Sequence, residues 1–156
     1  MRKISSYLCQ RSTMKIYSLL QIGSFHTHHC EDDLIAAEIG PGRMLLAIMD
    51  GCTMGTDSHL PSTLCAKLLR KIARALDFEA FRERKALDLP ALQAVVLQRL
   101  FAELRFLQNH LQLEKSEMLC TLILALVDAP SQTAEMIVVG DGWVDCNGIG
   151  TEFEQD

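Results

Sequence analysis

Two hydrophobic rhythms run along this chain, and the switch between them divides it into three parts. Residues 14–23 (MKIYSLLQIG) read as a first strand that Gly23 ends, followed by the polar loop SFHTHHCEDD. Leu34 to Ile39 is a short apolar strand, and Gly40-Pro41-Gly42 is a strong turn signal. Arg43 to Met49 (RMLLAIM) is a nearly continuous apolar run of strand length, which reads as a strand buried on both faces. It stops abruptly at Asp50-Gly51.

The period then lengthens to that of a helix. Leu64, Leu68, Ile72 and Leu76 recur every four residues, with Ser58 as N-cap and Pro61 in the first turn. Lys67, Arg70, Lys71 and Arg74 supply a solvated face. A second helix takes Asp88 as its cap and Pro90 at its start. Its apolar stripe is Leu92, Val96, Leu100, Leu104, Leu107 and Leu111. FEAFRERKALDL reads as a charged connection between the two helices.

The last third returns to strands. These are 118–127 (MLCTLILALV), 135–139 (EMIVV) after a turn at 128–131, and Trp143 to Cys146 closed by the hairpin dipeptide Asn147-Gly148. Thr151 to Glu154 begins one more. Strands, then two helices, then strands imply an α+β domain with antiparallel sheet and helices on one face.

Composition narrows the function classes. The 156 residues suit one domain, and residues 1–13, polar and aperiodic, read as a tail or extension. A net charge of −5 disfavours a nucleic-acid surface and suits metal cations. The six cysteines form no CxxC pair, and several lie in apolar runs, as free thiols of a reducing, cytoplasmic compartment do. No run has the character of a signal peptide or the length of a membrane span.

Three acidic sites stand where apolar strands give way to loops. Asp50-Gly51 follows a buried strand, where a carboxylate is costly unless it faces an opening or a partner. Asp50 and the Gly51 carbonyl are oxygen donors of the kind Mg²⁺ or Mn²⁺ takes. Glu31-Asp32-Asp33 lies between two strands, and Gly140-Asp141-Gly142 repeats the motif a third time. Each alone is also an ordinary turn or solvated loop. His26, His28, His29 and Cys30 lie together but match no zinc module. His28 or His29 suits a phosphate contact or proton donor.

Taken in order, these pieces resemble the metal-dependent protein phosphatases of the 2C type. They are CEDD (30–33), LLAIMDGCTMG (45–55), helices near 58–77 and 89–112, CTLILALV (120–127) and IVVGDG (137–142). The resemblance covers nearly everything from Met14 onward. It implies an antiparallel β-sandwich flanked by helices (α-β-β-α) and two or more Mg²⁺ or Mn²⁺ ions. These activate a water that attacks the phosphorus of phosphoserine or phosphothreonine. By resemblance, Asp50 would bridge both metals, and Glu31 and the Gly51 carbonyl would hold the second ion. Asp32 would hydrogen-bond water on the metals, and Asp141 would serve an additional, weaker position.

Two departures accompany it. His26-Thr27-His28-His29 stands where the family usually carries a phosphate-gripping arginine. The family also uses two later aspartates, in an Asp-Gly and an Asp-Asn, and a second helix pair, and the sequence given stops at Asp156 before them. The expectation is the N-terminal portion of such a domain, incomplete with one helix pair. The expected activity is that of a serine/threonine phosphatase acting on a phosphoprotein or small phosphoester, with homo-oligomerisation through an uncovered sheet face. The alternatives are a catalytically inactive, phosphatase-like interaction or regulatory module and a different metal-dependent hydrolase.

Overall fold

The computed structural model of the chain describes residues 14–22, 29–52, 57–83 and 87–154. The expected tail at 1–13 and His28 lie outside the described residues. Among the described residues, six strands and two long helices follow in the order β1 (Asp32–Glu38), β2 (Arg43–Asp50), α1 (Leu60–Glu83), α2 (Leu89–Leu111), β3 (Leu122–Asp128), β4 (Thr133–Val139), β5 (Gly142–Cys146) and β6 (Ile149–Phe153). Strands β1-β2-β3-β4 form one antiparallel sheet in chain order, and β5-β6 form a separate hairpin. This is the expected α+β arrangement of antiparallel sheet and one helix pair.

Strand alternation gives the sheet two unlike faces. Ile35, Ala47 and Leu124 lie side by side in register, as do Ala37, Leu45 and Leu126. All but Ala37 are buried, and they meet Leu68, Leu69, Ile72 and Leu76 of α1 and Leu92, Val96 and Leu100 of α2 in one core. The opposite face carries Leu46, Ile48, Ile123, Ala125 and Met136. It is apolar but more open, with Ile48 53% and Met136 40% exposed. The expectation that Arg43–Met49 is buried on both faces is therefore wrong. A continuous apolar run reports that neither face is polar, not that both are covered.

The helices correct three further readings. First, α1 runs on to Glu83, absorbing half of the expected charged connection. FEAFRE contains no helix breaker, and Glu79 on the extra turns accepts both guanidinium N–H groups of Arg99 on α2 at 2.9 Å. Second, Ser58 is not the cap of α1, which begins at Leu60; its hydroxyl is used elsewhere. Third, Arg70 is only partly solvated. It donates to Asp33 at 3.0 Å and to the Leu34 carbonyl at 2.8 Å, fastening α1 to β1. Lys67, Lys71 and Arg74 are exposed as expected.

Asp88 does cap α2. Its backbone is extended (φ −67°, ψ 162°), and its side chain accepts the Ala91 N–H at 2.8 Å. Asp88→Ala should cost about 1 kcal/mol, read in thermal denaturation as a loss of roughly 2–4 °C in Tm.

Two strand boundaries also move. Residues 14–22 form no strand. Their apolar side chains stand at 14, 16, 17, 19, 20 and 22, which keeps no two-residue alternation, and Tyr17 and Leu19 are largely exposed. Residues Ser116–Met118 make a 3-10 turn, so β3 starts at Leu122 rather than at 118. The hairpin turn stands as expected: Asn147 (φ 55°) and Gly148 (φ 83°) are both left-handed, as a two-residue turn of this twist requires. Among the described residues no helix is long and apolar enough to cross a membrane.

Candidate functional site

The acid triplet is divided by the strand it belongs to. Asp32 and Asp33 lie inside β1, so they point to opposite faces of the sheet. Asp33 faces the helices and is neutralised by Arg70. Asp32 faces the open side, directly across from Asp50 at the end of β2. Glu31, one residue before the strand, turns toward α1. There its Oε1 accepts the Ser58 hydroxyl at 2.5 Å, and its backbone carbonyl accepts the buried Ser62 hydroxyl. The repulsion expected of three adjacent carboxylates is relieved by three separate surroundings.

Asp50 sits where β1, β2 and the approach to β3 meet. Its backbone N–H donates to Thr121 Oγ1 at 3.2 Å, and its carbonyl accepts the Thr121 N–H at 2.8 Å. Gly51 follows in an antiparallel bridge with Cys120, and its N–H donates to the Glu31 carbonyl at 3.1 Å. A Cβ at position 51 would lie 1.9 Å from the Ser58 carbonyl oxygen. The glycine is thus needed because the chain entering α1 crosses directly over it. Gly51→Ala should push that crossing apart, costing roughly 1–3 kcal/mol. Differential scanning calorimetry should show a Tm at least about 3 °C lower.

Asp141 reaches the site from the far edge of the sheet. Gly140 and Gly142 flank it, and Cβ atoms there would meet Thr121 at 3.0 Å and Ile123 at 2.6 Å. The glycines let the chain leaving β4 fold back over β3, and this carries Asp141 toward Asp50. Asp32, Asp50 and Asp141 line one cleft of about 330 Å³, and Asp33 also contributes to its wall. Leu19, Leu20, Ile48, Thr121 and Trp143 supply part of the rest of its wall.

The electrostatics record this gathering. The Asp50 carboxyl is pushed up from 3.8 to about 6, first by burial, then by its hydrogen bond to Asp32 and the negative charges of Asp32, Glu31 and Asp141. Like charges sharing a site disfavour full ionisation. No cationic side chain is among these influences. Arg70 is taken by Asp33, and Arg43 is at the opposite end of the sheet on Asp128 at 2.7 Å.

Sequence reasoning missed several residues that organise this place. Thr121 fixes the Asp50 backbone, and Ser58 and Ser62 hold Glu31 from one side of α1. No spacing in the sequence marks the two serines as a pair, because Ser58 precedes the helix that carries Ser62. His29 stacks on His59 with ring centroids 4.4 Å apart, so one of the two histidines expected near phosphate packs beside the start of α1. Cys30 donates its thiol to Asp32 at 3.8 Å. Among the described residues no three His, Cys, Asp or Glu side chains are close enough together to hold a metal ion.

A protein-family model described as Protein phosphatase 2C matches residues 23–154. Searches of curated proteins and of solved structures each gave no match. The matched span takes in all six strands, both helices and the acids Glu31, Asp32, Asp50 and Asp141. The chain belongs to the protein phosphatase 2C family.

Proposed function

We propose that the open end of the sheet binds Mg²⁺ or Mn²⁺ through its acidic residues and that the domain hydrolyses phosphoserine or phosphothreonine. The observation that supports this best is that Asp32, Asp50 and Asp141 line one cleft, where burial first and then the neighbouring acids raise the Asp50 carboxyl to about 6. Such a cluster is unfavourable as it stands and is relieved by a divalent cation, which favours the ionised form. The donors are hard oxygens, as these cations require.

Asp50 would be the central ligand, shared between ions. Glu31 and the Gly51 carbonyl would hold the second ion, and Asp141 an additional one. When bound, the ions would neutralise the phosphate and make water a stronger nucleophile. Asp32 would orient water by accepting its hydrogen bond and is itself oriented by the Cys30 thiol. Thr121 and Ser58 position Asp50 and Glu31. His28, in place of an arginine, would contact the phosphate or donate a proton. A phosphorylated segment of protein can reach the cleft, because Asp50, Asp141 and Trp143 are exposed. The cysteine pattern, six residues with no CxxC pair, supports a cytoplasmic location.

The test is phosphate release from a phosphothreonine peptide with Mn²⁺ and with EDTA. The proposal expects Mn²⁺-dependent release that Asp50→Asn removes. Metal binding with no turnover would leave an inactive, phosphatase-like module. Equal release in EDTA would sink the metal mechanism.

A further inference from the structure

Two cysteines outside the acid set meet across the boundary between helix and sheet. Cys65 lies on α1 and is 4% exposed, while Cys120 is half-buried on the segment that enters β3. Their sulfur atoms are 3.7 Å apart, in contact but unbonded. A disulfide needs about 2.05 Å, so bonding takes roughly 1.7 Å of approach, within reach of side-chain rotation and a small shift of one segment.

The position of the pair gives that approach a consequence. Cys120 forms the antiparallel bridge to Gly51. The hydrogen bonds beside it tie Cys52 to the Leu119 carbonyl at 3.2 Å and Thr121 to the Asp50 carbonyl at 2.8 Å. Cys65 stands one turn after Ser62, whose hydroxyl holds the Glu31 carbonyl. A bond between the two sulfurs would join the turn that positions Glu31 to the segment that positions Asp50. It would draw those two segments toward each other.

We propose that Cys65 and Cys120 are a reversible redox pair that a hydroperoxide converts to a disulfide, and that this bond distorts the acid cluster and weakens its hold on divalent cations. The second half rests on the metal-binding reading above; the first does not. Cys120, the more accessible thiol, reacts first. Its sulfur attacks the distal peroxide oxygen, the O–O bond breaks, and Cys120 sulfenic acid and one water (or an alcohol) result. The Cys65 sulfur then attacks the Cys120 sulfur. The S–S bond forms, the S–O bond breaks, and the leaving hydroxide takes the Cys65 proton as a second water. The two sulfurs together give up two electrons, and the two peroxide oxygens accept them. A thiol reductant such as dithiothreitol reverses the change.

The experiment treats the metal-free chain with hydrogen peroxide, blocks remaining thiols with iodoacetamide and maps the peptides by mass spectrometry. The expected result is a Cys65–Cys120 linked peptide, reversed by dithiothreitol and absent from Cys120→Ala and from Cys65→Ala. Should the buried Cys65→Ala variant fail to fold, the half-exposed Cys120→Ala carries the same test. Linkage between other cysteines or between chains would overturn the pair, as would Cys120 ending as a sulfinic acid with Cys65 still reduced. Calorimetric Mn²⁺ titration of the reduced and oxidised chain tests the second half. Oxidation should lower affinity at least about tenfold, the scale seen when a ligand's supporting partners are disturbed, with recovery on reduction. Unchanged affinity would overturn the regulatory role. A reduced chain that binds no Mn²⁺ would overturn the metal reading and this second half together, while the linkage is judged on the peptides alone.

Discussion

Asp50→Asn is expected to lower Mn²⁺ affinity at least about 100-fold, because it removes the carboxylate that the cluster is built around, a larger loss than disturbing a supporting partner. The same change should make the metal-free protein more stable at neutral pH. The Asp50 carboxyl lies near 6 in the folded chain and near 3.8 when unfolded. Between those values the folded state holds more protons, so stability falls as pH rises through the window from about 4 to about 6. At pH 7.5 the penalty is fully present, and below pH 4 it is gone. Asp50 is solvent-exposed, so screening reduces the effect to on the order of 1 kcal/mol. Calorimetry without metal should therefore show Asp50→Asn melting roughly 2–4 °C above the parent chain at pH 7.5 and level with it at pH 4. A variant that loses stability at pH 7.5 would mean that Asp50 is held by a favourable partner rather than crowded by other acids.

The second large effect lies in the core. Leu124 is fully buried at the centre of β3, opposite Ala47 on β2 and Ile137 on β4, beneath the two helices. Leu124→Ala should destabilise the fold by about 2–5 kcal/mol, through lost apolar burial and the cavity left behind. In a thermal melt this is roughly 5–20 °C. Ile48, of similar size but on the open face and 53% exposed, should lose less than about 1 kcal/mol on the same truncation. Equal losses at both positions would mean that the open face is covered in solution.

These contrasts show how much the sequence revealed. The helix pair, the cap at Asp88 and the turn at Asn147-Gly148 were legible because each rests on local chemistry, a periodic stripe, a carboxylate on a free N–H or a left-handed backbone. The antiparallel sheet followed from the order of elements. Two kinds of feature were not legible. The end of α1 was hidden because the charged run after Leu76 reads equally as loop or as solvated helix, and the choice falls to a distant residue, Arg99. The division of Glu31, Asp32 and Asp33 was hidden because it depends on where β1 begins. Starting the strand at Asp32 rather than Leu34 sends the middle acid to the cleft and the next to Arg70. Likewise the need for glycine at position 51 was hidden, because it is set by the chain before α1 crossing over it.

The candidate site itself was legible as a set of strand-end acids, since Asp32, Asp50 and Asp141 do line one cleft. Its supporting residues, Thr121, Ser58, Ser62 and Cys30, act through contacts that no spacing announces. They decide how the acids are aimed. The electrostatic cost of the cluster and the absence of a cationic side chain among Asp50's influences are properties of the assembled fold.

Electron paramagnetic resonance of Mn²⁺ mixed with the reduced chain at pH 7.5 tests the central reading most directly, because only free aqueous Mn²⁺ gives the full six-line signal. The account predicts that this signal falls saturably as protein is added and returns when excess Mg²⁺ competes. It predicts no loss of signal with the Asp32→Asn/Asp50→Asn double variant. An undiminished signal at every protein concentration, or an equal loss with the double variant, would contradict it.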